Sequence, residues 1–239
     1  MNRLVIIGNG FDMAHGLRTS YMDFINWYWD QRVYGFIGNT TNVSQDCLCK
    51  LVIKETGDFS CWNVFAASNS YFFKDLYQKE RYSGSEVFQE IKQHPETFMV
   101  ECSPFFETIL QSIESKGWVD IENDYYQLLK DSINNPRCEY TITGLNQQLA
   151  FIQSKLVEYL STIKEGEYKS EYQKAITDYF NPDDFSTEGR VRALDNMGLD
   201  FDRPYDKQYF QEEHEKLAPE RIMLLSFNYT KTAQLYGGS

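Results

Sequence analysis

The sequence predicts an α/β protein: a Rossmann-like parallel sheet whose first and last strands enclose a large helical insertion, about residues 20–218, within one domain of 239 residues. Two apolar runs and the periodicity between them carry this reading. Leu4-Val5-Ile6-Ile7 is short, rich in β-branched residues and stopped by Gly8, as expected of a buried strand. Arg221-Ile222-Met223-Leu224-Leu225-Ser226-Phe227, after Pro219, has the same character. Both runs are continuous rather than alternating, which predicts central strands covered on both faces. The chain between them is mostly helical in pattern, and one α/β core is the economical arrangement.

In order along the chain, Ser20 with Asp23 is a variant cap for a helix through Trp27 and Tyr28. The stretch from Gly35 to Asp58 is loop-rich, with Val52-Ile53 a short strand. Ile121, Tyr125, Leu128 and Leu129 mark a helix starting near Asp120. Tyr140-Thr141-Ile142 is a second short strand. Leu145, Leu149, Ile152, Leu156, Leu160 and Ile163 step by three and four residues, the apolar stripe of the strongest helix in the sequence. Ser170 with Gln173 fits a capping box ahead of Ala175, Ile176 and Tyr179, and Asn181-Pro182 ends that helix. Tyr205 to Leu217 is a charged surface helix. No repeat or low-complexity tract interrupts the chain.

Composition narrows the function classes. The 17 Tyr, 17 Phe and 4 Trp require a packed interior, so a disordered chain is excluded. A net charge of −12 repels polyanions at long range, which argues against a broad nucleic-acid surface and against adhesion to anionic membranes. The five cysteines, an odd number in a chain of this length, do not read as a disulfide framework. Cys47-Leu48-Cys49 is too tight for a zinc knuckle, and His15, His94 and His214 share no ligand spacing, so no metal site is expected. His94, before Pro95, and His214 read as solvated. The N-terminus is too short in apolar residues for a secretory signal, and no window reaches the length of a membrane span. A cytoplasmic location is the simplest expectation.

The first strand opens into Gly8-Asn9-Gly10-Phe11-Asp12-Met13-Ala14-His15-Gly16. A strand followed by Gly-x-Gly is the geometry of a nucleotide-binding turn, because glycines let backbone N–H groups approach a phosphate. The third position of the dinucleotide fingerprint is Met13 where Gly or Ala is usual. The same residues suit a tight strand-to-helix turn with Asn9 and Asp12 capping backbone groups, and both readings stand. A carboxylate at Asp12 repels a diphosphate by roughly 1 kcal/mol or more once partly desolvated, so Asp12 suits a ribose hydroxyl, a metal ion or a cap better. The reference pKa of an imidazole lies near neutrality, so His15 is a candidate acid or base, or a hydrogen-bonded structural histidine. The last strand opens into Asn228-Tyr229-Thr230, where open α/β sheets place ligand-binding groups. Asn228 equally fixes a turn there, with Thr230 capping a short helix from Lys231 to Tyr236.

Residues Leu4 to Phe24 closely resemble the opening signature of the AbiH family. Trp118-Val119-Asp120-Ile121-Glu122 is similar to that family's Trp-x-x-x-Glu segment. Ser226-Phe227-Asn228-Tyr229-Thr230-Lys231-Thr232, followed by Leu235-Tyr236-Gly237, is similar to its Phe-Asn-Tyr-Thr signature. The resemblance implies a role in bacterial abortive infection, in which an infected cell sacrifices itself and limits phage release.

A more remote similarity links Gly8-x-Gly10-x-Asp12-x-x-x-Gly16-Leu17 to the sirtuin pattern Gly-Ala-Gly-x-Ser-x-x-x-Gly-Ile, and Asn228 to the sirtuin Thr-Gln-Asn-x-Asp. That similarity implies Gly8, Asn9, Gly10 and Phe11, with Tyr229 and Thr230, around NAD or another nucleotide. Asp12, His15 and Asn228 become the catalytic candidates of an NAD- or nucleotide-cleaving effector. Asp12 replaces Ser, Thr230 replaces Asp, and the sirtuin His-Gly has no counterpart before Ser239. The sheet is therefore expected to be truncated at its C-terminal side. The alternatives are a non-catalytic sensor or interaction module that meets a phage or host protein, and a metal-dependent nuclease using Asp12, Asp23 and Glu122 with Mg²⁺. The nuclease alternative is strained by the net charge, and Trp118 and Glu122 suit packing and capping better than catalysis.

Overall fold

The computed structural model describes residues 2–38, 41–54, 63–65, 70–78, 82–116, 120–135, 138, 140–181, 183, 185–200, 202–212 and 217–237. It has a mixed α/β architecture with a small parallel sheet and many helices. The chain divides into two compact units, one of Met1–Leu17 with Lys164–Ser239, the other of Arg18–Ile163. The insertion expected over about 20–218 is accordingly split: residues 18–163 form their own unit, and those from 164 onward fold with the two terminal strands.

In the first unit, strand β1 (Asn2–Ile7) pairs in parallel with the last strand (Arg221–Ser226), in register from Asn2↔Arg221 to Ile7↔Ser226. Phe227 N–H extends the ladder by donating to Ile7 O at 2.8 Å. Ile7 is buried, and Val5, Ile222 and Leu224 are half-buried on one face. The other face, Leu4, Ile6, Met223 and Leu225, is exposed. The expectation of strands covered on both faces is corrected here. The runs are apolar on both sides, but the described residues cover one side only. Arg3 stitches β1 to its surroundings: its guanidinium donates to Ile176 O at 2.7 Å and lies 4.4 Å from the centre of the Phe180 ring. A small core of Ala193, Leu194 and Leu217 packs with Phe180, Phe185, Met197 and Leu199.

The second unit holds the main apolar core. Helix α2 (Tyr21–Gly38) starts as expected at Ser20, whose hydroxyl accepts from Asp23 N–H at 3.1 Å while Asp23 Oδ2 accepts from Ser20 N–H at 3.2 Å. Phe24, Ile25, Tyr28, Trp29, Val33, Phe36 and Ile37 bury several sides of this helix. Trp29 stacks on Phe88 with ring centres 3.5 Å apart. A three-stranded antiparallel sheet orders β2 (Val43–Gln45), β3 (Cys49–Ile53) and β4 (Phe98–Cys102), with Cys49 opposite Cys102. Asp46 ties its corner: Oδ1 accepts from the N–H groups of Leu48 and Cys49, and Arg32 Nε lies 3.1 Å from Oδ2.

Several local expectations need correction. The stretch from Gly35 to Asp58 contains the end of α2, β2 and β3 among its described residues rather than loop alone. Thr141 and Ile142 are not strand: the Thr141 hydroxyl caps the Ile142–Ser161 helix by accepting from Gly144 N–H. Ser170 lies inside the Ser170–Thr177 helix, so its expected capping box is absent and Tyr179 lies beyond the helix end. Asp120 does cap the Ile121–Asn134 helix, as its spacing implied. The charged helix expected over 205–217 is seen as Pro204–Glu212. His94 is not simply solvated, since it bridges Glu90 and Glu96 and lies 5.1 Å from the Phe73 ring. Trp118, Pro182 and His214 lie outside the described residues.

Candidate functional site

The parallel pairing of β1 with the last strand, called β5 from here, sets the carboxyl ends of both strands side by side. Gly8 ends β1 in an extended conformation and leads directly into the short helix α1 (Asn9–Ala14), which carries Asp12 inward. Beyond β5 the chain turns through Phe227–Lys231 into a 3-10 helix, Thr232–Tyr236.

The two turns are joined through Asp12, which is fully buried. Its Oδ1 accepts from Asn228 Nδ2 at 2.9 Å and from the Thr230 hydroxyl at 2.7 Å. A carboxylate only accepts, so the Asn228 amide must turn its nitrogen toward Asp12, which leaves Asn228 Oδ1 pointing elsewhere. Thr230 Oγ1 accepts in turn from Thr232 N–H at 3.2 Å and lies 2.7 Å from the buried Thr232 hydroxyl. Asp12 Oδ2 and Asn228 Oδ1 are both buried with no hydrogen-bond partner among the described residues. Buried polar atoms are almost always paired, so two orphaned acceptors in one hydrogen-bonded cluster are unusual.

His15 sits at the end of α1, with both ring nitrogens engaged. Nδ1 is 2.7 Å from Phe11 O, and Nε2 is 2.6 Å from the Tyr236 hydroxyl. A carbonyl accepts, so Nδ1 donates; Nε2 is bonded to the Tyr236 hydroxyl, whose oxygen also accepts from Lys169 N–H at 2.8 Å. This chain leaves neither nitrogen of His15 available for proton transfer to a ligand. Phe11 and Tyr172 close around the imidazole, with centres 4.4 and 4.9 Å away. Gly16 completes the turn in the left-handed region at φ 77°, where a side chain would be strained.

A cavity of about 360 Å³ opens at the carboxyl end of β1, lined by Val5, Ile6, Ile7, Gly8, Gly10, Phe11, Ala14, Tyr172, Ala175 and Ile176. A Cβ added at Gly8 or Gly10 would meet nothing within 4 Å, so these glycines are not demanded by packing. The cavity therefore gathers Gly8, Gly10 and Phe11 of the sequence-derived set. Asn9, half-buried, and Tyr229, exposed, are not among its lining residues. Asp12, Asn228 and Thr230 form the hydrogen-bonded cluster instead. Sequence reasoning missed Tyr172 and Lys169 because the capping pattern read around them, Ser170 with Gln173, speaks only of the local helix and names no distant partner. Thr232 and Tyr236 stood within the closing signature, but their partners became visible only in the fold.

Asp23 is committed to its cap on α2. Among the described residues no group of three His, Cys, Asp or Glu side chains could hold a metal ion, and no helix is long and apolar enough to cross a membrane. No curated protein and no solved structure matches the chain. The family model described as Bacteriophage abortive infection AbiH matches residues 4–239, nearly the whole chain, and spans both strand-end turns that Asp12 joins. The chain belongs to the AbiH family of bacteriophage abortive infection proteins.

Proposed function

We propose that this AbiH protein serves abortive infection by binding a nucleotide at the carboxyl edge of a Rossmann-like β1–β5 sheet. The observation that carries the reading is the Asp12 junction: it fixes the glycine turn after β1 against the asparagine turn after β5, beside a cavity whose glycines leave the backbone open to approach. Ligands of open α/β sheets bind near the carboxyl ends of strands, and this cavity lies against Ile7 and Gly8 at the end of β1, between that strand, α1 and the Ser170–Thr177 helix. Phe11 and Tyr172 offer an apolar, aromatic wall for a base.

In this reading Asp12 and His15 are positioning residues. Asp12 commits one carboxylate oxygen to the junction, and His15 commits both nitrogens to structure. Asn228 holds its turn through Nδ2. Cleavage of NAD or of another nucleotide at this site is the effector activity the reading favours.

Isothermal titration of the protein with NAD, ADP-ribose, ATP and GTP tests it. One of these ligands should release heat, and Gly10→Leu, which adds a bulky side chain to the cavity lining, should abolish that heat while circular dichroism stays unchanged. Silence toward all four with the wild type, together with full phage resistance of the Gly10→Leu variant, would defeat the nucleotide reading.

The second reading, a non-catalytic sensor or interaction module, is favoured by how completely His15 is satisfied. Its signature is Asp12→Ala with retained fold and retained phage resistance.

A further inference from the structure

Cys49 and Cys102 belong to neither turn of the candidate site, yet they face each other across the antiparallel β3–β4 pair with sulfurs 3.6 Å apart. Ser103 N–H donates to Leu48 O and Lys54 N–H to Thr97 O. Alternation along the ladder then makes Cys49↔Cys102 a non-hydrogen-bonded pair, the position where opposed side chains approach most closely, with Cα atoms about 4.5 Å apart. That spacing falls inside the range a disulfide spans, so a bond can form by side-chain rotation without moving the strands.

The two thiols differ in environment. Cys49 is buried, whereas Cys102 is half-buried and lines an open groove of about 450 Å³ together with Trp29, Phe88, Lys92 and Glu107. Hydrogen bonding with the Cys49 thiol holds Cys102 below the ordinary thiol range against the effect of burial, with Lys92 adding to the lowering and Glu107 opposing it. The same bond and burial push Cys49 up. A thiolate is the nucleophile toward peroxides and disulfides, so Cys102, half-buried at the groove, is the one primed to react.

We propose that Cys102 and Cys49 form a peroxide-sensing dithiol, with Cys102 the attacking sulfur and Cys49 the resolving one. The Cys102 thiolate attacks one oxygen of hydrogen peroxide; the O–O bond breaks, and the other oxygen leaves as hydroxide and takes up the thiol proton as water. Cys102 is oxidised by two electrons to a sulfenic acid, and the peroxide is reduced. The Cys49 sulfur then attacks the Cys102 sulfur. The S–O bond breaks, the oxygen departs with the Cys49 proton as a second water, and the S–S bond staples β3 to β4.

Hydrogen peroxide added in small excess to the reduced, full-length protein tests this. Intact mass should fall by two hydrogens, and a non-reduced digest should contain the Cys49–Cys102 cross-linked peptide, reversible with dithiothreitol. Cys49→Ser should stop the reaction at a sulfenic acid on Cys102 that dimedone traps, and Cys102→Ser should leave Cys49 reduced. Cross-links confined to Cys47, Cys61 or Cys138, or complete alkylation of both Cys49 and Cys102 after peroxide, would overturn the proposal on wild-type protein alone, whatever the variants do.

Discussion

Asn228 Nδ2 donates to Asp12 Oδ1 at 2.9 Å, joining two side chains 216 positions apart in the sequence. Asp12 is fully buried, and the Thr230 hydroxyl shares the same acceptor. The Asn228 bond joins the two strand ends side by side.

Removing the acceptor strands both donors. Hydrogen bonds to a buried charge contribute about 1.5–3 kcal/mol each, so Asp12→Ala should lower stability by about 3 kcal/mol or more. Urea unfolding followed by fluorescence should report it as a lower midpoint for the unit containing β1 and β5. In a double-mutant cycle, Asp12→Ala with Asn228→Ala should show a coupling of at least about 1 kcal/mol. Strict additivity would mean that the two side chains are neighbours without an interaction.

The glycines divide into two kinds. A Cβ at Gly84 would come within 2.3 Å of the Asp30 backbone nitrogen and the Trp29 carbonyl carbon, where the Gly84–Gln93 helix meets α2. Backbone on both sides cannot yield cheaply, so Gly84→Ala should cost about 2–4 kcal/mol, the range of overpacked core sites and beyond. Gly10, inside α1 with open space around it, should behave oppositely. Gly10→Ala replaces a poor helix former and should leave stability unchanged or raise it by up to about 1 kcal/mol. Thermal unfolding of the two variants side by side checks both signs.

Much of this fold was legible where chemistry is local. The Ser20–Asp23 cap, the Asp120 cap, the Leu145-to-Ile163 stripe and both terminal strands follow from spacing that needs no partner. The meeting of the Gly8–Gly10 and Asn228–Thr230 turns was expected only through the remote sirtuin similarity, which places both around one ligand, and not from spacing. The antiparallel sheet of β2, β3 and β4 was not expected. Val43–Gln45 is three residues long, and Phe98–Cys102 follows a helix with no turn motif to announce it. Thr141 was misread as strand because a β-branched residue suits both a strand and a helix cap. The aromatic closure of His15 by Tyr172 and Tyr236 rests on long-range contacts that no spacing rule encodes.

The capping box at Ser83 gives a pH signature. Glu86 accepts from the Ser83 hydroxyl and from Ser83 N–H, and these bonds, the side-chain one foremost, hold its carboxyl below the ordinary value of 4.5. A carboxyl depressed in the folded state stabilises the protein fully above its unfolded value, and that contribution is lost as pH falls through the folded value. Wild type should therefore exceed Glu86→Gln in stability at neutral pH, with the gap closing progressively below pH 4.5. Unfolding midpoints of the two proteins, measured from neutral to acid pH, should converge. A gap that stayed constant would assign the difference to packing and not to charge. Because Glu86 is almost wholly exposed, solvent screening keeps the effect small.

The two faces of the parallel sheet give the last contrast. Ile6 and Ile7 are consecutive and chemically identical, yet Ile6 is 66% exposed and Ile7 only 3%. Alternation of side chains along a strand sends them to opposite faces, so their substitution costs measure the cover on each face separately. Ile7→Thr removes buried apolar surface and places a hydroxyl where it has no assured partner, and should cost about 2–3 kcal/mol. Ile6→Thr keeps the β-branched shape and alters a side chain already in water, so its cost should stay within about 0.5 kcal/mol. Met223→Thr, opposite Leu4 on the neighbouring strand and on the same exposed face, should match Ile6→Thr. Equal and large losses at Ile6 and Ile7 would show that the Leu4, Ile6, Met223 and Leu225 face is covered in solution, as continuous apolar strands ordinarily require.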